Sequence, residues 1–247
     1  MRYMRIRCEY KTEKLPVAYN MLFLSLIKES LKKSDEDYLR KLYFYKGDKV
    51  NKKPKNFCFS VYLKDFVKKE DIFQINDRII FNISSPDYEF MLKVYNGLLD
   101  FSTFRYKDYN INKVRINLLK EKVINKSSAV FSTMSPICIK NKQGNMISID
   151  DDQYEKELNY IESKSLEGFR GYGLVEALKF SPIFMKKKIV KEDIRNFREN
   201  TNKPYYYVNS YAGTFKLKGN TKDLNDLYML GIGFKRGQGF GMIEIIE

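Results

Sequence analysis

Gly231-Ile232-Gly233-Phe234-Lys235-Arg236-Gly237-Gln238-Gly239-Phe240-Gly241 sets five glycines and two cations within eleven residues. Glycine lacks a Cβ, so its backbone N–H groups can come directly against a phosphate and its φ can turn positive at little cost. The stretch follows apolar positions of helical spacing over 224–230 and runs into an alternating, strand-like segment over 241–247. That context excludes a dinucleotide fingerprint, whose glycines lie between a strand and the helix after it. No Gly-Lys-Ser/Thr ending follows, which excludes a nucleoside-triphosphate loop. The expectation is a phosphate-holding loop in which Lys235 and Arg236 contact the anion. Gly237, Gly239 and Gly241 would permit close approach by a phosphate-bearing chain or by the first helix, with Gly231 and Gly233 counted in the same binding loop.

Working outward, the second half reads as a strand over 129–139, a helix over 152–165, strands over 174–184 and 205–218, a helix over 224–230 and a last strand over 241–247. The first half has the same order. A strand alternates over 2–10, and a helix entered through Pro16 carries Tyr19, Leu22, Phe23, Leu26, Ile27 and Leu31 on one face. A shorter helix over 35–43 can start at Ser34, with Asp37 three residues on. Strands over 57–63 and 78–84, a helix over 87–99 led in by Pro86 and a strand over 101–106 complete it. Two copies of β-α-β-β-α-β predict an α+β fold of two tandem ferredoxin-like (RRM-like) domains, antiparallel sheets with helices on one face. The expected domains are 1–120, with the candidate catalytic residues, and 121–247, with the glycine-rich loop, joined near 120–128.

The chain has 247 residues, 45 Lys and Arg against 31 Asp and Glu, and a formal charge of +14, which calls for an acidic partner. With 43% hydrophobic residues, 19 Tyr and 18 Phe it is a folded protein and not a basic tail. No apolar run approaches the roughly 18 residues that span a bilayer, so a cytoplasmic protein with no membrane partner is expected. Cys8, Cys58 and Cys138 are too widely spaced for a disulfide framework or a zinc knuckle. There is no His, which excludes Ser-His-Asp and Cys-His nucleophile systems and His-ligated zinc. Proton chemistry must use Tyr, Lys, Arg, Cys or carboxylates, and no metal or cofactor is expected.

Charge concentrates early: residues 1–70 hold 18 cations against 9 anions. Between 40 and 56, Arg40, Lys41, Lys46, Lys49, Lys52, Lys53 and Lys55 surround Tyr43, Phe44 and Tyr45, with Asp48 the lone anion. Interleaved cations and aromatics can neutralise phosphates and stack on bases. Arg2, Arg5 and Arg7 on the first strand, and Lys186, Lys187, Lys188 and Lys191 in the other half, can track a nucleic-acid backbone or be ordinary surface.

The glycine stretch before the last strand resembles the signature of the CRISPR-associated repeat-processing endoribonucleases, the sixth Cas family within the repeat-associated RNA-binding superfamily. Leu15-Pro16 with Tyr19, Ser25 and Ile27, the segment from Lys55 to Ser60, the segment from Thr133 to Ile137 and that from Tyr211 to Phe215 follow in the family's order. The resemblance implies metal-independent cleavage of CRISPR repeat RNA by attack of a 2′-OH on the adjacent phosphate, leaving a 2′,3′-cyclic phosphate and a 5′-OH. It implies CRISPR repeat transcripts, and other CRISPR effector subunits, as partners of a monomer or homodimer. Family members often carry a Tyr in the first helix, a His shortly after it and a Lys before the aromatic-rich strand. Lys28 takes the Tyr position, Tyr43 or, on a shorter alignment, Arg40 takes the His position, and Lys55 fits the Lys position.

Cleavage needs a proton removed from the 2′-OH, charge or a proton delivered to the departing oxygen, and stabilisation of the phosphorane. With reference pKa values of about 10 and 10.4, Tyr and Lys suit acid and electrostatic roles unless a Lys is depressed. Lys28, crowded by Lys41, Lys46 and Lys55, is the candidate for depression, with Lys55 as charge stabiliser and Tyr43 as donor or orienting hydroxyl. A family member that binds repeat RNA without cutting it is the alternative.

Overall fold

The computed structural model describes residues 4–45, 49–51, 53–120 and 122–246. In chain order the first half runs β1 (Met4–Lys11), β2 (Lys14–Pro16), α1 (Asn20–Ser34), α2 (Glu36–Tyr43), a short pair β3 (Phe44–Tyr45) and β4 (Lys49–Val50), and β5 (Cys58–Leu63). A hairpin of β6 (Phe66–Lys69) and β7 (Ile72–Ile75) precedes β8 (Ile79–Ser85), α3 (Tyr88–Leu99), β9 (Thr103–Tyr106) and β10 (Tyr109–Leu119). The second half runs β11 (Ser128–Thr133), α4 (Tyr154–Arg170), β12 (Lys179–Glu192), α5 (Arg195–Thr201), β13 (Tyr206–Lys218), α6 (Thr221–Leu230) and β14 (Ile243–Ile245).

The first sheet has the antiparallel order β5-β8-β1-β10-β9 and the second the order β12-β13-β11-β14. Leaving out the edge strand β9, each is the ferredoxin-like order, in which the first and third strands pair centrally. One core gathers Ile6, Phe23, Phe59, Phe81 and Val94 under α1 and α3; the other gathers Phe131, Leu158, Phe215, Leu227 and Ile243 under α4 and α6. A small third cluster of Cys138, Val208 and Phe240 sits beneath the glycine-rich loop. Among the described residues no helix is long and apolar enough to cross a membrane.

Local chemistry accounts for the element ends. The side chain of Asp35, not Ser34, caps α2 by accepting the Tyr38 N–H at 2.8 Å, and Asp87 caps α3 by accepting that of Phe90 at 3.0 Å. Lys32 and Lys33 close α1, where cations suit the helix dipole, and α4 ends at Gly171 with φ of 86°.

The structure corrects several expected elements. The strand expected to close the first domain over 101–106 is an edge strand; β10 takes the place beside β1, with Arg7 opposite Asn117. Asn110, Asn112, Lys113, Arg115 and Asn117 give β10 too polar a pattern to announce a central strand. The strand expected over 129–139 stops at Thr133, after which Pro136, lacking an N–H, interrupts the ladder before Ile137 bridges to Tyr211. α5 and the β6–β7 hairpin were not foreseen.

The two domains meet along a seam. Arg5, 2% exposed, reaches across to donate to the carbonyls of Tyr228 (2.6 Å) and Ile243 (2.8 Å) and to pair with Glu244 (2.8 Å). Its guanidinium lies 3.7 Å from the centre of the Tyr228 ring. The strand-face arginine is therefore a bolt between domains and not a surface cation. Arg7 remains partly exposed and donates to Asn82.

Candidate active site

The glycine-rich loop leaves α6, makes a 3₁₀ turn at Arg236–Gln238 that packs against α1 and β5 of the first domain, and returns to the second domain in β14. A Cβ built on Gly239, where φ is 88°, would fall 2.8 Å from Asn20 Cγ at the start of α1 and 2.9 Å from Phe59. Both the backbone conformation and the close approach demand glycine there. Of the two expected reasons for close approach, the structure displays the first helix.

The two cations of the loop turn inward. Lys235 pairs with buried Glu192 at 2.6 Å and also donates to Gln238, leaving its side chain 10% exposed. Arg236 is 4% exposed and donates to the carbonyls of Leu230 (3.4 Å) and Gly231 (3.2 Å). The expectation that both stand free for phosphate is corrected: their partners come from distant elements that only the fold brings near. Gly231, Gly233 and Gly241 are buried, while Gly237 is partly open to the cleft described below.

Under the loop sits Glu162 of α4, fully buried, accepting the Gly233 N–H at 2.5 Å. Burial pushes its carboxyl up to about 7, against the opposing pull of Arg236 and the Gly233 N–H. Burial likewise lowers Arg236, so desolvation of the two charges outweighs their attraction. Glu162 Oε2 and Arg236 Nη2 have no hydrogen-bond partner among the described residues. The sequence signal was available: Leu158, Glu162, Ser165 and Leu166 form one helical stripe, and a carboxylate within it points at the core.

The sign of the resulting pH effect follows from the direction of the shift. The folded chain holds the Glu162 proton where the unfolded chain has released it, so its contribution is full below about pH 4.5 and gone above about 7. Glu162→Gln keeps an acceptor for Gly233 and removes the titration. Between pH 4 and 8 the wild type should lose up to about 3 kcal/mol more urea stability than this variant. Parallel stability curves for the two proteins would show that Glu162 titrates normally.

Above the loop a cleft of about 600 Å³ opens between the domains. It is walled by Lys28 of α1, Tyr43 at the end of α2, Lys53 and Lys55 before β5, Tyr160 and Lys164 of α4, and the glycine loop. The Lys28 ammonium lies 4.4 Å and the Lys55 ammonium 5.3 Å from the centre of the Tyr43 ring. Lys28 is half-buried because its stretch of α1 faces the other domain, and this burial, not crowding by Lys41, lowers its pKa. Lys55 is lowered by burial first and by the charge of Lys28 second. Its ammonium donates to the carbonyls of Asn51 (2.9 Å) and Lys53 (3.1 Å).

Tyr43 presents its ring, and not its hydroxyl, to the two lysines. That hydroxyl is buried with no hydrogen-bond partner among the described residues, and burial raises its pKa. The ring is what faces the lysines, as a shared cation–π platform. Arg40 is exposed on α2 and lines neither this cleft nor its neighbour. Lys41, Lys49 and Lys53 are exposed, and Lys46 and Lys52 lie outside the described residues. Lys186, Lys187 and Lys188 are exposed along β12, whereas Lys191 pairs with Asp71 at 3.0 Å. Tyr160 and Lys164 were missed by sequence reasoning, since nothing local ties α4 to the first domain.

A family profile described as CRISPR associated protein Cas6, C-terminal, matches residues 119–245, more than half of the chain and including the whole glycine loop. The chain belongs to the Cas6 family. It is 26% identical over 264 aligned residues to the CRISPR-associated endoribonuclease Cas6 1 of Methanocaldococcus jannaschii, covering 99% of this chain and 93% of that one. Among solved structures, a Cas6-related protein from Pyrococcus furiosus superimposes with a TM-score of 0.80 at 21% identity, over 99% of both chains. A RAMP protein described as binding different RNA substrates gives 0.79 at 20% identity, over 99% of this chain and 100% of that one. These likenesses extend the Cas6 fold, two tandem ferredoxin-like domains, over the full chain.

Proposed function

We propose that this Cas6 protein is a metal-independent endoribonuclease that cleaves CRISPR repeat RNA by 2′-OH attack, leaving 2′,3′-cyclic phosphate and 5′-OH ends. The observation that carries the reading is the pair of lysines, Lys28 and Lys55, facing one aromatic ring in the interdomain cleft with both pKa values lowered. Family membership and a relative named as an endoribonuclease support the substrate class.

In this reading the neutral Lys28 amine takes the proton of the 2′-OH, O2′ bonds to phosphorus, and the P–O5′ bond breaks. Lys55, charged and held by two carbonyls, neutralises the phosphorane and gives its proton to O5′. The two ammoniums are coupled, so the loss of one proton strengthens the hold on the other. One neutral and one charged lysine is the pairing an acid–base step needs. Tyr43 positions both through its ring.

Incubating the protein with labelled repeat RNA in excess EDTA tests the proposal. The expected product carries a cyclic phosphate, and a 2′-deoxy nucleotide at the scissile position abolishes it. Cleavage that stops with EDTA overturns metal independence; RNA that is shifted but intact supports instead a binding subunit without cleavage.

A further inference from the structure

Beside the reaction cleft lies a second opening of about 570 Å³ that the chemistry above leaves unused. The two share a rib: Asn51, Lys53, Pro54 and Lys55 line both. The rib is stiff. Pro54 restricts its backbone, and Lys55 ties down the carbonyls of residues 51 and 53. Asn51 anchors it to α2 by donating to the Leu42 carbonyl at 3.2 Å while accepting the Lys53 N–H at 3.0 Å. A nucleic-acid chain crossing such a divider places successive nucleotides in separate compartments.

The second opening has the parts that recognise a nucleotide. Leu42 and Pro54 make an apolar wall, backed by the stacked pair Phe57–Phe90, whose rings are buried with centres 4.6 Å apart. Asp87 supplies an acceptor locked in place by the Phe90 N–H at 3.0 Å and the Tyr38 hydroxyl at 3.3 Å, and its carboxylate keeps free lone pairs. Lys41 and Lys53 stand exposed at the mouth. An apolar wall takes a base, a fixed carboxylate takes a base amine, and the ammoniums take phosphate. A bare anion would have no use for the first two.

The geometry points to this second cleft as the seat of the nucleotide adjoining the scissile phosphate, with preference for a base carrying an exocyclic amine over uracil. The inference rests on the function proposed above and deepens it, because the rib then sets which phosphate lies over Lys28 and Lys55.

Gly168 of α4 lines the second cleft and not the first, and a Cβ built there meets nothing within 4 Å. Gly168→Phe therefore fills the cleft without displacing the protein, and Gly168→Ala is a control that favours the helix. Both are compared with wild type in single-turnover cleavage and in binding. The RNAs are intact repeat RNA and repeat RNA made abasic, or carrying uracil, at either nucleotide flanking the cut.

The wild type should lose roughly five- to tenfold with an abasic nucleotide on one side only, the scale of one base contact, and less with uracil there. Gly168→Phe should lose a similar factor on intact RNA and nothing further on the abasic RNA, while Gly168→Ala matches wild type. Equal losses on intact and abasic RNA, or none on either, overturn the assignment. If wild type binds repeat RNA without cutting it, the proposed activity fails, yet the same non-additivity read in dissociation constants still decides the cleft. Absence of any RNA affinity removes both.

Discussion

Lys28→Ala should slow single-turnover cleavage of repeat RNA by about 10²–10⁴-fold, the range of one positioned acid–base group, and change RNA affinity only a few-fold. The split matters, because a lysine that merely tracks backbone would weaken binding and leave the bound-state rate alone. Burial lowers the Lys28 pKa, so the wild-type rate should climb with pH and level off below the ordinary lysine value. The sign follows from the role: the base must be neutral, and raising the pH empties its proton. Lys28→Arg should not restore the rate, since a guanidinium stays charged throughout. Arg40→Ala, exposed on α2 and outside both clefts, should cut at the wild-type rate. A Lys28→Ala protein with unchanged cleavage, or a flat pH profile in the wild type, removes Lys28 from the chemistry.

Arg5→Ala should destabilise the fold by about 3–5 kcal/mol, the cost of breaking a buried charged network from one side. The substitution removes the guanidinium donors to the carbonyls of Tyr228 and Ile243, leaves Glu244 with only Lys122 and the Tyr228 hydroxyl, and takes the guanidinium off the Tyr228 ring. In a chain of this length that corresponds to a fall in Tm of roughly 10 °C. Arg5→Lys should recover little, because one ammonium cannot fork to three acceptors that the guanidinium reaches at once. Cleavage should fall as well, since the cleft takes walls from both domains and the seam sets their spacing. A loss below about 1 kcal/mol in urea titration would show that the seam is held elsewhere, along Cys58, Ser84 and Ser135.

Much of the fold was legible in the amino-acid order because helix and strand periodicity are properties of neighbours. The apolar stripe of α1, the alternation of β1 and the starts of α2 and α3 are local, and each was read within a residue or two. β10 escaped because its alternation changes phase at a register shift: the apolar positions Tyr109 and Ile111 are odd-numbered, whereas Val114, Ile116 and Leu118 are even-numbered. The candidate site was legible in part. Lys28, Tyr43 and Lys55 were named from their places along the chain, and the structure brings them around one ring. Arg40 was named alongside them and faces solvent.

What the sequence determined by itself was the pair of β-α-β-β-α-β halves, the lack of any imidazole, the surplus of positive charge and the glycine stretch that marks the family. What only tertiary structure decided was which positive charges are free. Lys235 and Arg236 look identical to Lys53 on paper, yet Glu192 and the carbonyls of Leu230 and Gly231 occupy them while Lys53 faces solvent. Arg5 became a bolt, and Glu162 a buried carboxylate beneath the loop, for the same reason. Periodicity depends on residues a few positions apart, whereas the partner of a charge depends on which distant elements the two cores press together.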